Sequence, residues 1–222
     1  MGDGMEPQAA SNPRISALIV DDDRSAREAL RLLLHGPAVE VIALCDSPED
    51  CLDAIVRRPP QVALVDMRMQ GDPYAGVELI RQIRALSPAT ACLALTASDR
   101  RGDLLPKAFY AGAHGYYRKG YVLGDALPGI VRRLAEGAWE LDPEMANRLL
   151  RDTGSDGADS SHFTPHERDL LRRIASGASA DALAATFHER EATIHTSIRN
   201  IMGKAQAART AEIERLSMRH GF

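Results

Sequence analysis

ISALIVDDD, residues 15–23, decides the fold. A short apolar run suits a strand buried on both faces of a sheet, and this one stops abruptly in three carboxylates. The pattern recurs along the first half of the chain. QVALV (61–65) runs into Asp66, ACLAL (91–95) into Thr96, and HGYYR (114–118) into Lys119. In an open α/β sheet the carboxyl ends of the strands form the functional crevice. Charged groups gathered there predict a built site. Asp21, Asp22, Asp66 and Lys119 supply three carboxylates and one ammonium, the groups needed by a divalent cation and a transferable phosphoryl group.

Working outward, strands are expected over 15–20, 39–44, 61–65, 91–95 and 114–118. Amphipathic helices are expected over 24–34, 48–57, 76–86, 102–111 and 122–135. Five βα units predict an α/β fold, a five-stranded parallel sheet of flavodoxin-like (βα)5 form with helices on both faces. Pro106 falls inside the fourth helical segment and predicts a short or late-starting helix there. Domain boundaries are expected at 14–136 for this unit and at 137–162 for a connector and flexible linker. The connector carries a helix over Pro143–Leu150, and the linker is the Gly, Asp and Ser-rich DTGSDGADSSH, 152–162. A small all-α domain then fills 163–222. Thr164, Pro165 and Glu167 spell a helix start: cap, proline at the first position, acid at the third. Leu170, Leu171 and Ile174 line that helix. Short and longer helices follow over 180–186, 190–203 and 206–218.

The 222 residues carry a formal net charge of -4, so there is no global basic footprint. Cys45, Cys51 and Cys92 fit no metal-ligand spacing and read as buried free thiols of a reducing compartment. MGDGMEPQAASNP at the start has no apolar core and does not read as a signal peptide. No run of eighteen apolar residues is present, so a cytoplasmic location and no membrane partner are expected.

At the strand ends, adjacent carboxylates repel, and a hard divalent cation relieves that repulsion; Mg²⁺ suits such oxygen ligands. Asp66 stands alone after its strand and is the better nucleophile. A carboxylate attacking a phosphoryl donor forms an acyl phosphate. Lys119 can pair with phosphoryl oxygens, and Thr96 can donate its hydroxyl to another. A single strand-end acid can instead cap a helix, as Asp23 is placed to do ahead of Arg24.

The order LIVDDD (18–23), LVDMRM (64–69), GVELI (76–80), LALTAS (93–98) and GAHGYYRKG (112–120) resembles the receiver domain of bacterial two-component response regulators, over residues 15–136. The resemblance implies Asp66 as phosphoacceptor and a Mg²⁺ site of Asp21, Asp22, Asp66 and the Arg68 backbone carbonyl. It implies Thr96 as switch hydroxyl, Tyr116 as switch aromatic and Lys119 as the lysine that reads the phosphoryl group. Phosphorylation would draw the hydroxyl inward and the aromatic after it, shifting the face of the fourth helix, fifth strand and fifth helix. The chain departs from the family at Gln70, where receivers usually carry proline. The segment QGDPYAG (70–76) is longer than usual, and so is the stretch from Thr96 to Gly112. Tyr117 should face opposite to Tyr116, into helix packing.

FTPHERDLLRRIASGAS (163–179) and ATIHTSIRNIMGKA (192–205) resemble the NarL/LuxR-type helix-turn-helix output domain, with EGAWELDPEMANRLL (136–150) as its connector. Two short helices and a longer third can place the last in a major groove. After Thr193, however, the family's lysine and histidine positions hold His195 and Ser197. From Ser160 to Phe222 nine Arg and Lys stand against seven Asp and Glu, a formal +2, modest for neutralising phosphates. Expected DNA contacts are Arg190, Arg199, Lys204 and Arg209 to phosphates, and His195, Thr196 and Arg199 to base edges. The resemblance implies a regulator, not an enzyme, that accepts a phosphoryl group from a sensor histidine kinase and controls transcription as a homodimer on double-stranded DNA. The weak basicity of the third helix leaves open a helical domain that binds protein instead.

Overall fold

The computed structural model describes residues 14–99, 103–122, 126–152, 163–176, 178, 180–190, 193–194, 196–205 and 207–208. Strands β1 (Ile15–Val20), β2 (Val39–Cys45), β3 (Val62–Asp66), β4 (Ala91–Thr96) and β5 (Gly115–Arg118) alternate with helices α1 (Arg24–Leu33), α2 (Pro48–Arg57), α3 (Ala75–Leu86) and α4 (Leu104–Ala111). The short α5 (Lys119–Val122) and α6 (Leu127–Ala135) follow, then β6 (Glu140–Leu141) and α7 (Pro143–Asp152). All strands pair in parallel, in the order β2-β1-β3-β4-β5-β6.

The expected five-stranded sheet therefore has six strands. Glu140 and Leu141 pair with Gly115 and Tyr116 and extend the edge. Two residues are too few to show a period of two, so the strand is invisible to pattern reading. Tertiary partners hold it: Glu140 accepts the Tyr117 hydroxyl at 2.8 Å and pairs with Arg133. The expected helix over 122–135 also divides. Lys119 opens the short α5, and α6 begins afresh at Leu127 with a proline in its first turn, where the missing N–H costs nothing. Pro106 occupies the first turn of α4 for the same reason, and that helix starts at Leu104 instead of 102.

Alternation along the strands builds two cores. Leu18, Val20, Ala63, Val65, Cys92, Ala94 and Tyr116 join α2, α3 and α4 on one face. Ala17, Ile19, Val62, Leu64, Leu93, Leu95 and Tyr117 join α1 and α6 on the other. Side-chain caps fix the helix starts nearest the strand ends: Asp23 accepts from Ser25 and Ala26 ahead of α1, and Ser47 accepts from Asp50 at α2. At α3 the determinant is close approach. A Cβ on Gly76 would lie 2.2 Å from the Asp66 carbonyl oxygen, so only glycine lets α3 abut the end of β3.

The helical region contains α8 (Pro165–Ala175), α9 (Ala180–Phe187) and further helical residues at 193–194, 196–205 and 207–208. Thr164 and Glu167 form a reciprocal capping box, as the Thr-Pro-x-Glu pattern predicts. Phe163, Leu170, Leu171, Ile174, Leu183, Ile194, Ile198, Ile201 and Met202 are buried, and they belong to the same apolar cluster as the α4 face of the sheet. Trp139 is the joint: its ring stacks on Phe109 of α4 at 4.9 Å and 12°. A small cavity of about 20 Å³ beside it is lined by Leu141, Ile174, Leu183 and Ile198, so β6 and the helical region meet there. The helix expected over 206–218 lies almost wholly outside the described residues.

Candidate functional site

The crevice at the carboxyl ends of β1, β3 and β5 brings together four side chains read from the sequence. Asp21 follows β1 and is almost fully buried, Asp66 closes β3, and Asp22 is exposed. One carboxylate oxygen from each lies within 4.8 Å of the others. Lys119, the first residue after β5, places Nζ 2.6 Å from Asp21 Oδ2 and 2.9 Å from Asp66 Oδ1. Backbone amides complete the frame. Arg68 N–H donates to Asp66 Oδ2 at 3.3 Å, Asp23 N–H to Asp21 Oδ1 at 3.1 Å, and Gln70 N–H to Asp22 Oδ2 at 2.7 Å. The last bond needs the departure noted at Gln70. Its φ of 54° is closed to proline, which also has no N–H to give.

One ammonium does not balance three carboxylates. At an effective dielectric of 20, two charges at this spacing repel by about 3–4 kcal/mol. Burial, only partly offset by Lys119 and reinforced by Asp21, pushes the Asp66 carboxyl up to about 6. Burial pulls the Lys119 ammonium down, but hydrogen bonds and charge from Asp21 and Asp66 outweigh it and leave Lys119 raised. Asp21 Oδ2 is buried and faces the Lys119 ammonium at 2.6 Å. Three carboxylates gathered within 4.8 Å, with one ammonium to balance them, offer the oxygen ligands and net negative charge that fit a hard divalent cation.

Thr96 ends β4, fully buried. Its hydroxyl donates to the Ser98 carbonyl at 3.0 Å and accepts from Ser98 N–H at 3.2 Å. Tyr116 lies inward, fully buried, with its hydroxyl on Asp99 Oδ2 at 3.1 Å. Burial first and the Asp99 charge second raise that phenol well above its ordinary range. Tyr117 points to the opposite core, as strand alternation requires.

The sequence of residues 17–126 matches the family model described as the response regulator receiver domain. A nitrate/nitrite response regulator protein homolog of Haemophilus influenzae is 30% identical over 192 residues, covering 86% of this chain and 90% of that protein. The chain belongs to the NarL/LuxR-type two-component response regulators. NarP, a nitrate/nitrite response regulator of Escherichia coli, is also 30% identical, over 84% of this chain and 86% of its own. A solved RcsB response regulator of Salmonella typhimurium shares the fold across 86% of this chain and 92% of that one, at TM-score 0.56 and 22% identity.

Sequence reading missed several residues around the regulator's crevice. A cavity of about 460 Å³ lies beside it, lined by Arg68, Pro73, Tyr74, Ser98, Asp99, Asp103 and Leu104. Tyr74, in the lengthened segment 70–76, donates its hydroxyl to Asp103 Oδ2 at 2.6 Å. Lys107 pairs with the same carboxylate at 2.9 Å and lies 3.8 Å over the Tyr74 ring. Burial opposes ionisation of Asp103, but Tyr74 and Lys107 outweigh it and hold its carboxyl below the ordinary range. The unusual length of 70–76 was the only signal in the sequence, and it named no partner.

In the helical region of the regulator, Arg190, Thr196 and Arg199 are exposed. His195 and Arg209 lie outside the described residues. Lys204 is committed elsewhere: its ammonium sits 2.9 and 2.8 Å from the two Glu167 oxygens. Burial raises Glu167, but Lys204 and the Thr164 N–H outweigh it and lower its carboxyl. Glu167 thus closes the capping box and ties α8 to the stretch 196–205. Among the described residues no helix is long and apolar enough to cross a membrane.

Proposed function

We propose that this regulator accepts a phosphoryl group on Asp66 from a sensor histidine kinase and uses it to control transcription through its helical domain on double-stranded DNA. The observation that carries this reading is the convergence of Asp21, Asp22, Asp66 and Lys119 on one crevice. An Asp66 oxygen attacks the phosphorus of the kinase phosphoimidazole, the P–N bond breaks, and an acyl phosphate forms. Asp21, Asp22, Asp66 and the Arg68 carbonyl would hold Mg²⁺, which when bound neutralises charge on the transferring group. Lys119 is positioned to take phosphoryl oxygens, and the Thr96 hydroxyl to leave Ser98 for another.

Arg190, Arg199 and Arg209 serve as phosphate contacts, with His195, Thr196 and Arg199 at base edges, while Lys204 stays with Glu167. A homodimer spanning two half-sites supplies the affinity that one +2 domain lacks. The ion pair of Lys204 with Glu167 lowers the free positive charge further, and favours as second reading an output made to a protein partner.

Affinity selection from a duplex library with Mg²⁺, with and without a small-molecule phosphodonor, tests both readings. Donor-dependent selection of one motif, lost in Asp66→Asn, is the expected result. Phosphorylation without any DNA selection moves the output to protein. Selection indifferent to both donor and mutation removes the phosphoryl control.

A further inference from the structure

We propose that α7 reads the phosphoacceptor crevice and transmits its state to the helical domain, with Arg148 as the positioning residue that makes the reading possible. The inference rests on Asp66 as phosphoacceptor and adds the route by which that site governs output.

Helix α7 is held at its start and at its middle by polar ties to the segments that carry the switch residues. At its start, buried Asp142 accepts Glu144 N–H at 2.9 Å on one carboxylate oxygen, and its carbonyl accepts Ala146 N–H at 3.1 Å. The other carboxylate oxygen takes Arg118 Nε at 2.9 Å and Arg118 N–H at 3.3 Å. Arg118 Nη2 also lies 2.6 Å from Glu144 Oε2. The helix cap is thus clamped to the residue immediately before Lys119. A second backbone bond, Asp142 N–H to the Tyr116 carbonyl at 2.9 Å, fixes it to the strand of the switch aromatic.

Further along α7, Arg148 Nη1 donates to the carbonyl of Asp99. Asp99 is the junction of the loop after β4. Its carboxylate accepts the Tyr116 hydroxyl, and its neighbour Ser98 is bonded in both directions to Thr96. Two hydrogen bonds, joined by the Ser98–Asp99 peptide link, therefore separate the Thr96 hydroxyl from a side chain of α7. The rest of α7 faces the other way in function. Met145, Ala146 and Leu149 are buried in the cluster that holds Phe163, Leu170, Leu171 and Ile174 of the helical domain. A shift of α7 moves that packing.

A phosphoryl group on Asp66 brings close to two negative charges and three acceptor oxygens into the crevice. These compete for the donors of the crevice, the Lys119 ammonium and the Thr96 hydroxyl among them. Thr96 can turn to them only by giving up Ser98, which frees residues 98 and 99 and takes the Asp99 carbonyl from Arg148. The Arg118 clamp stays, so α7 pivots about its start instead of detaching. A charge-assisted bond of this kind holds a local closed state by about tenfold or more.

The test is amide hydrogen exchange on the full-length protein, with phosphorylation of Asp66 by a small phosphodonor followed separately by intact mass. In Arg148→Ala without donor, exchange over 143–152 should rise about tenfold, to the level that donor produces in wild type. Donor should add nothing further, while the phosphorylated fraction stays within about twofold of wild type. Wild-type exchange in the variant, or a full donor-induced rise on top of it, overturns the proposal. Should Arg148→Ala fail to fold, Arg148→Lys carries the test: a rise confined to 143–152 supports the tie, and unchanged exchange overturns it. If donor never phosphorylates wild-type Asp66, the phosphoacceptor reading fails, and the donor-free exchange of the variants still decides whether Arg148 holds α7.

Discussion

Asp66 sits between two demands. For the proposed attack on a phosphoryl donor it must be ionised, yet burial and Asp21 favour the protonated form and push its carboxyl from the ordinary 3.8 to about 6. A carboxyl raised in the folded state favours folding most below pH 4, and that contribution is lost as pH rises through about 6. Replacing the acid with a neutral isostere removes the loss. With metal chelated, Asp66→Asn should therefore unfold at higher urea than wild type at pH 7.5, by about 1–3 kcal/mol, with the two converging near pH 4. Added Mg²⁺ should narrow the gap at pH 7.5 by stabilising only wild type. Equal urea midpoints at pH 7.5 without metal would show that Lys119 already offsets the buried charge. At the same scale, Gln70 shows how one residue re-equips a site. A left-handed backbone where the family carries proline releases an N–H, and that N–H orients Asp22.

Between elements, the lengthened segment 70–76 is fastened to α4 by Tyr74, Asp103 and Lys107. The fastening matters because α4 begins where the loop after β4 ends, so it braces one wall of the cavity beside Asp66. Tyr74→Phe keeps the ring under Lys107 and removes only the hydroxyl bond to Asp103. The expected cost is about 1 kcal/mol of stability, with faster amide exchange confined to the first turns of α4. A loss spread evenly over the protein would show that Tyr74 acts through general packing. The capping box of α8 is a second fastening between elements, since Glu167 both closes the helix start and receives Lys204 from the stretch 196–205.

Across the whole molecule, the sheet domain and the helical domain share one apolar cluster, with Trp139 between α4 and the helical domain. The stack on Phe109 faces α4, and Leu141 with Ile174, Leu183 and Ile198 surrounds the other side. A shared core makes unfolding of two units one event. Scanning calorimetry should show a single transition for the wild-type protein. Trp139→Ala should cost about 3–5 kcal/mol and split the trace in two, the helical domain melting first. One transition, merely shifted down, would mean that α7 alone carries the coupling.

The sequence by itself determined five of the six strands, the crevice at their ends and the family. Apolar runs of five or six residues ending in Asp21, Asp66, Thr96 and beside Lys119 are local patterns, and strand direction then places those ends on one edge whatever the details of packing. Caps at Asp23 and Thr164 are equally local, each a side chain meeting an amide two or three residues away. The tertiary structure alone decided the rest. β6 is two residues long and exists because Gly115, Tyr117 and Arg133 give it partners. Lys204, expected on a phosphate, is held by Glu167 from thirty-seven positions earlier. The Asp99 junction joins Tyr116 and Arg148 across forty-nine positions of chain. Contacts at such separation leave no period or spacing in a single sequence, because what selects them is the packing of whole elements, known only once the chain has folded.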